Sequence, residues 1–397
     1  LRNLLSNLTA LTAKEPNMYF GPMKRVGVFG TPGSVRLNRR DINGLADIGN
    51  NTGNLLFQYS VWSGIQNPKM VVHLGMDYSF VRENIDILVI PAANQVNSDP
   101  DFVLGPWADM VERIDRPVVV VGLGAQADDQ SDPRIDLAPD TLRLLKVLAE
   151  RTNYIGVRGP FTAAALACHG IENVVVTGCP SNFINVEDID GSTIAERLSQ
   201  LKANGAQCPT YVPGTIEKRV NDLERQLFRI GYAENARIVY QTNLAAMKAI
   251  RLHEDVAADE YLRWENKELI PEMSFKRYKD YIEEAGDFYT SAAEWIASLG
   301  SNTDFVFGMR AHGCIAAIQG GSFGACVTFD SRTAELFETM QYPRISAQNA
   351  LACQDINDVV QNVEFDATKF DAARSSLLSS YASIMQSNGV RMSHRGM

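Results

Sequence analysis

The chain alternates short apolar runs with longer stretches in which apolar positions recur every three or four residues. The runs at 26–30, 70–74, 87–91, 118–122, 154–157 and 174–177 are rich in Val and Ile. Short continuous runs of this kind predict strands buried on both faces of a parallel sheet. Helix-compatible segments such as 140–151 separate them, and strands alternating with helices spell a doubly wound α/β domain. The stretch 185–207 is polar and helical in character, with Gly191-Ser192 near its start and Gly205 near its end, and reads as a crossover. A second α/β series follows: a strand at 211–212, a charged helix over 216–231, a strand at 237–241, solvated helices within 244–291, and strands at 305–308 and 324–329. Helices are predicted within 355–386 and a frayed end over 387–397.

Five leucines, Leu1, Leu4, Leu5, Leu8 and Leu11, stand at helical spacing and predict a short amphipathic helix without the basic lead of a signal peptide. The resulting partition is an N-terminal helix (1–23), a Rossmann-like domain (24–184), the crossover (185–207), a second Rossmann-like domain (208–345) and C-terminal helices with a tail (346–397). The fold class expected is therefore α/β, two Rossmann-like domains facing across a cleft.

Composition narrows the functions rather than the fold. The 397 residues carry a net charge of −10, which disfavours nucleic acid or a polybasic membrane contact, since both need clustered Lys and Arg. Any anionic ligand must then meet a local positive pocket. The six cysteines form no C-x-x-C pair and no metal-ligand spacing, so they read as reduced thiols, and no metal site is expected. No Walker A sequence or full dinucleotide fingerprint is present.

The richest chemistry lies in 304–335. There Arg310 and His312 leave the end of one buried strand and Arg332 follows the next, with Asp330 or Ser331 available to cap a helix. Ligands of open parallel sheets sit at the carboxyl ends of strands, and neighbouring strands are about 4.8 Å apart, so three long side chains can converge on one small anion. Arg158 ends the strand at 154–157 in the same manner, ahead of Gly159-Pro160. Arginine suits carboxylate and phosphate because its planar fork donates two parallel bonds. His312, at a helix start among arginines, would lose its proton and regain it beside a dianion, as a general acid does. Read as ordinary surface residues, Arg332 would instead pair with Glu335 three positions on. A glycine- and asparagine-rich connection at 49–54 precedes an amphipathic helix over 55–65, and Gly122-Leu123-Gly124-Ala125-Gln126 forms a second turn after a strand.

Gly308-Met309-Arg310-Ala311-His312-Gly313, Gly156-Val157-Arg158-Gly159-Pro160 and Thr177-Gly178-Cys179-Pro180-Ser181 together resemble the polysaccharide pyruvyl transferase family. The resemblance runs from about residue 27 to about residue 340 and implies a glycosyltransferase-B-like pair of domains. It also implies transfer of the enolpyruvyl unit of phosphoenolpyruvate to a sugar of a cell-surface polysaccharide or lipid-linked precursor, forming a pyruvate ketal and releasing phosphate. Phosphoenolpyruvate is then the donor substrate, and no cofactor is required. By the same resemblance Arg158, Arg310 and Arg332 bind phosphoenolpyruvate, and His312 with Arg310 is catalytic. The 49–54 connection resembles the family's N-terminal glycine-rich loop, with Asn54 where an acidic residue is usual. Asn50, Asn54 and Gln126 are assigned to the acceptor. The implied location is the cytoplasm, free or peripherally attached at the inner face of the membrane. The oligomeric state is left open. Two other readings compete: a nucleotide-sugar-dependent glycosyltransferase of the same form, and a non-catalytic saccharide-binding protein.

Overall fold

The computed structural model describes residues 23–99, 102–127, 130–253 and 255–393. The expected helix over 1–23 lies outside them except for its last position. Among the described residues are two six-stranded sheets. The first holds β1 (Val26–Phe29), β2 (Lys69–Val72), β3 (Ile87–Pro91), β4 (Val118–Leu123), β5 (Ile155–Val157) and β6 (Val174–Val176), in the order β2-β1-β3-β4-β5-β6. The second holds β7 (Pro209–Val212), β8 (Arg237–Val239), β9 (Gly286–Asp287), β10 (Phe305–Gly308), β11 (Phe323–Thr328) and β12 (Arg344–Ser346), in the order β12-β11-β10-β7-β8-β9. Every pairing is parallel. These are the two Rossmann-like domains expected from the alternating pattern. Strand order reverses between β1 and β3 in the first sheet and between β7 and β10 in the second, and these switch points are where a crevice opens at the carboxyl ends.

Two helices depart from their predicted form. Helix Asn54–Gly64 is not amphipathic: Leu55, Leu56, Phe57, Gln58, Ser60 and Val61 are all buried. It packs between β3 and helices Ala292–Asn302 and Ala311–Gln319 of the second domain, so it has two covered faces. The charged helix expected over 216–231 begins only at Asn221, and the chain ahead of it meets Arg310 through the Pro213 carbonyl and the Thr215 hydroxyl. The short strands β9 and β12 carry no apolar run to recognise, their sequences being Gly-Asp and Arg-Ile-Ser.

Side chains and backbone clasp the domains together. Both oxygens of Glu335 accept from Thr162, from its amide at 2.6 Å and its hydroxyl at 2.7 Å. The Ala127 amide donates to Ser331 Oγ at 2.8 Å, and the Thr52 amide donates to the Gln241 carbonyl at 2.9 Å. Helix Ala367–Ser387 returns to the first domain, where Tyr381, Ile384 and Met385 pack on Val26, Val28, Val119 and Val121. Its Arg374, 5% exposed, donates to the carbonyls of Asn182, Asn185 and Ile189 and fixes the connection between domains. No helix among the described residues is long and apolar enough to cross a membrane.

Helix Ala311–Gln319, which carries His312, is buried along its whole length. It meets helix Ala292–Asn302 where Gly300 faces Gly320; a Cβ on Gly300 would lie 2.1 Å from the Gly320 carbonyl oxygen. Backbone cannot retreat as a flexible side chain can. Gly300→Ala is therefore expected to destabilise the protein by about 1–3 kcal/mol, the scale of overpacking. Denaturant unfolding checks this, and an unchanged midpoint would contradict the close packing.

Candidate functional site

The site grows from the ends of β10 and β5. β10 is buried on both faces, and the chain leaves it through Arg310, whose extended backbone forms the N-cap of helix Ala311–Gln319. Arg310 Nε donates to the Pro213 carbonyl at 3.3 Å, and Nη2 donates to the hydroxyls of Thr215 and Thr242. This guanidinium thus spans the β7–β10 switch point. The loop beneath it is held by Glu224, 1% exposed, which accepts from the Gly214 amide at 3.0 Å and from the Tyr211 hydroxyl. Burial pulls the Arg310 pKa down to about 10, repulsion from Arg332 adds to the shift, and Glu224 opposes it. Arg310 therefore remains a cation at neutral pH.

His312 occupies the first turn of that helix and is 7% exposed. Its Nε2 is 3.7 Å from Cys179 Sγ, which accepts from the Ser181 hydroxyl at 3.0 Å. Its ring centroid is 5.7 Å from that of Phe57. Gly53 closes the other side: a Cβ there would be 3.2 Å from His312 Nδ1 and 2.7 Å from Gln241 Oε1. Burial, and then repulsion from Arg158 and Arg332, hold the imidazole pKa well below its ordinary value. With no anion beside it, the ring is neutral.

Arg158 is 2% exposed, and its Nε donates to the Gly122 carbonyl at 2.9 Å. That carbonyl is aimed by a register shift between β4 and β5 and by a left-handed φ of 77° at Gly122, which only glycine adopts easily. Arg158 Nη2 is buried with no hydrogen-bond partner, and so is Arg332 Nε. Arg332 does not pair with Glu335, because Thr162 takes both carboxylate oxygens; its nearest anion is Asp330 at 3.6 Å. Asp330 rather than Ser331 caps the helix, accepting from the Thr333 amide at 2.8 Å. The structure thus brings Arg158, Arg310, Arg332 and His312 to one junction, where several depress one another's proton affinity.

The residues expected at the acceptor separate. Asn54 lines a cleft on the first domain and donates to the Ile48 carbonyl at 2.9 Å. Asn50 is exposed, has a left-handed φ of 54°, and does not line that cleft. Gln126 is also exposed and outside the cleft, its side-chain oxygen accepting from Asn94. Gln241, 2% exposed with Nε2 unpartnered, was not singled out by sequence reasoning. The strand-end rule that found Arg310 on β10 would have found it just beyond β8. Glu335 left no such signal, because it acts on Thr162, far away in the chain, and Glu224 reads as one more charge on a solvated helix until it is buried against Tyr211 and Gly214. Among the described residues no group of three or more His, Cys, Asp or Glu is placed to hold a metal ion.

No curated protein matches the chain significantly. Among solved structures it is similar to a UDP-N-acetylglucosamine 2-epimerase from Rickettsia bellii, at 12% identity and a TM-score of 0.44, covering 93% of this chain and 97% of that one. It is also similar to the UDP-GlcNAc 2-epimerase of Methanocaldococcus jannaschii, at 10% identity and a TM-score of 0.42, covering 90% and 100%. A glycosyltransferase from Rickettsia africae gives 8% identity and a TM-score of 0.40, covering 92% and 100%. Likenesses this distant concern the course of the chain and not its chemistry. The family model described as polysaccharide pyruvyl transferase, by contrast, matches residues 22–321, more than half of the chain and all of the junction except Arg332 and its helix. The chain belongs to the polysaccharide pyruvyl transferase family and is a carbohydrate-modifying enzyme built on two Rossmann-like domains.

Proposed function

We propose that this protein transfers the enolpyruvyl unit of phosphoenolpyruvate to a sugar of a cell-surface polysaccharide or lipid-linked precursor. The observation that carries the reading is a buried neutral histidine flanked by Arg158 and Arg332, with Arg310 beside Arg332 and with guanidinium N–H groups of Arg158 and Arg332 left unpartnered. Phosphoenolpyruvate supplies a phosphate and a carboxylate, the two groups that such a cluster binds by paired charge-assisted bonds.

In the proposed reaction the bound dianion offsets the arginine charge and His312 takes up a proton. His312 then delivers it to the methylene carbon, which becomes a methyl group, and positive charge develops on the adjacent carbon. A sugar hydroxyl adds there and gives up its proton. The bond from that carbon to the phosphate oxygen breaks, inorganic phosphate leaves on the arginines, and a second hydroxyl of the same sugar closes the ketal and releases its proton. Preorganised cations acting on the leaving phosphate are the electrostatic form of catalysis that is usually the largest contribution.

The direct test incubates the protein with phosphoenolpyruvate and candidate sugars and, separately, with UDP-sugars. Phosphate release with an acceptor gaining a pyruvate ketal is expected; transfer of a glycosyl group from a UDP-sugar would support the competing glycosyltransferase reading instead. His312→Gln should lower turnover by roughly 100-fold or more while leaving phosphoenolpyruvate affinity within a small factor. Near-normal turnover in the folded variant would remove the histidine from the mechanism.

The depressed imidazole pKa gives a second test. At pH 7 the unliganded site holds neutral His312, so binding the dianion should draw a proton from solution. Calorimetry in buffers of different ionisation heat should show uptake approaching one proton in the wild type and none through this group in His312→Gln. The same shift fixes the sign of the stability change. The unfolded histidine binds protons below its ordinary pKa of about 6.5 and the folded one does not, so His312's contribution is complete above that pH and declines as pH falls toward the depressed value. Arg158→Ala, Arg310→Ala and Arg332→Ala should each weaken phosphoenolpyruvate binding, by roughly 1.5–3 kcal/mol per charge-assisted bond lost. Unchanged affinity in all three would place the site elsewhere.

A further inference from the structure

The first sheet has its own switch point, between β1 and β3, and a cleft of about 890 Å³ opens there. Its size falls within the roughly 300–1,000 Å³ of small-molecule sites. Phe29 meets Trp107 edge-on, with centroids 4.4 Å apart and planes at 74°, and fixes that half-buried indole in the wall. The polar lining includes five side-chain amides, Asn51, Asn54, Gln58, Asn94 and Gln95, each anchored by one half only. Gln58 Oε1 accepts from the Thr31 amide at 2.8 Å and Gln95 Oε1 accepts from the Ala93 amide at 2.6 Å, while Asn94 Nδ2 donates to Gln126. The other half of each amide has no hydrogen bond to a described residue, so one wall offers both donors and acceptors in fixed positions.

Charge limits what can bind. Among the described lining residues Arg36 is the one fixed cation, and Asp47 lies in the same lining with the neutralising charge. A diphosphate or a uronic acid would lack the paired guanidinium contacts that anions find at the second domain. Hydroxyl-rich, uncharged rings fit such a wall: their hydroxyls exchange bonds with amides and their C–H faces lie on an indole. The cleft also reaches the junction. Phe57 lines it and contacts the His312 ring, and Thr242 lines it and accepts from Arg310.

Resting on the reading that the chemistry takes place at Arg310 and His312, we propose that this cleft is the acceptor site and that it takes an uncharged saccharide of more than one ring, stacked on Trp107. The terminal ring lies at the Phe57–Thr242 end, with two hydroxyls toward the reacting carbon, and the next ring lies against Trp107. Asn50 and Gln126 lie outside its lining, and Gln126 bears on it only by holding Asn94.

The test titrates the full chain with phosphoenolpyruvate, with UDP, and with di- and trisaccharides of glucose, galactose, mannose and N-acetylglucosamine beside uronate-containing counterparts. Calorimetry and intrinsic fluorescence are the readouts. At least one uncharged saccharide is expected to bind with a fluorescence change. Trp107→Ala should weaken it roughly ten-fold or more, in keeping with the loss of a stacking platform and its buried area, and Asn94→Ala should weaken it several-fold. Both should leave phosphoenolpyruvate affinity unchanged. Trp107→Phe, which keeps an aromatic face, should retain most of the affinity and lose the fluorescence change, which separates loss of stacking from loss of fold. Binding by none of the uncharged saccharides, affinity indifferent to both alanine variants, or preference for UDP or uronates would each overturn the proposal. Saccharide binding that depends on Trp107 in a protein that ignores phosphoenolpyruvate would keep the cleft and remove the pyruvyl-transfer reading. Phosphoenolpyruvate binding with no such dependence would do the reverse.

Discussion

Positive charge confined in a nearly dry junction is the constraint to which the rest of this structure answers. Taking a guanidinium out of water costs several kcal/mol even after relaxation, and here Arg158 is fully enclosed while Arg310 and Arg332 stand close by. The protein offsets this with acceptors that are themselves fixed: the Gly122 carbonyl for Arg158, the Pro213 carbonyl and two threonine hydroxyls for Arg310. Asp330 lies 3.6 Å from Arg332 Nε, but two other carboxylates are kept one step back. Glu224 holds the loop under Arg310 and Glu335 holds the helix after Arg158, and neither forms a direct ion pair with an arginine that would block a ligand. A neutral His312 follows from burial first and then from the same excess of charge.

Glu335 illustrates how closely charge and architecture are tied. It belongs to helix Ser331–Met340 of the second domain, yet it caps helix Pro160–Ala167 of the first, accepting from the amide in that helix's first turn. A helix start leaves amide donors unpaired and favours negative charge, and the partner here comes from across the junction. The fit is tight: a Cβ on Gly159 would lie 2.5 Å from Glu335 Cγ. Arg158 immediately precedes this cap. The position of the buried guanidinium and the closure of the two domains are therefore one structural fact, and helix Ala367–Ser387 secures it from the opposite side through Arg374.

Much of this was legible in the chain because it depends on local pattern. Apolar runs gave ten of the strands, since a strand buried on both faces needs unbroken Val, Ile or Phe, and the residues just past β5 and β10 gave Arg158, Arg310 and His312. What was not legible depends on partners distant in sequence. Helix Asn54–Gly64 reads as amphipathic until the second domain covers its outer face. Glu335 reads as a partner for Arg332, three residues away, until Thr162 arrives from the other domain. Gln241 reads as the end of a strand, and only the folded junction shows its amide buried without a partner. Periodicity reports which face of an element is covered, but it does not report by what.

The two domains do not divide donor and acceptor as cleanly as their separate sheets suggest. The connection at 49–54 belongs to the first domain, yet its Gly53 lies against His312 and its Thr52 amide is bonded to the Gln241 backbone of the second. One residue on, Asn54 lines the first domain's cleft, and Phe57, a turn further, touches both the cleft and the imidazole. The absence of a side chain at Gly53 is what lets them meet, since any Cβ there would stand between Gln241, Asn51 and His312. The glycine- and asparagine-rich connection thus lines the first domain's cleft through Gly49, Asn51 and Asn54 and borders the charged junction through Gly53.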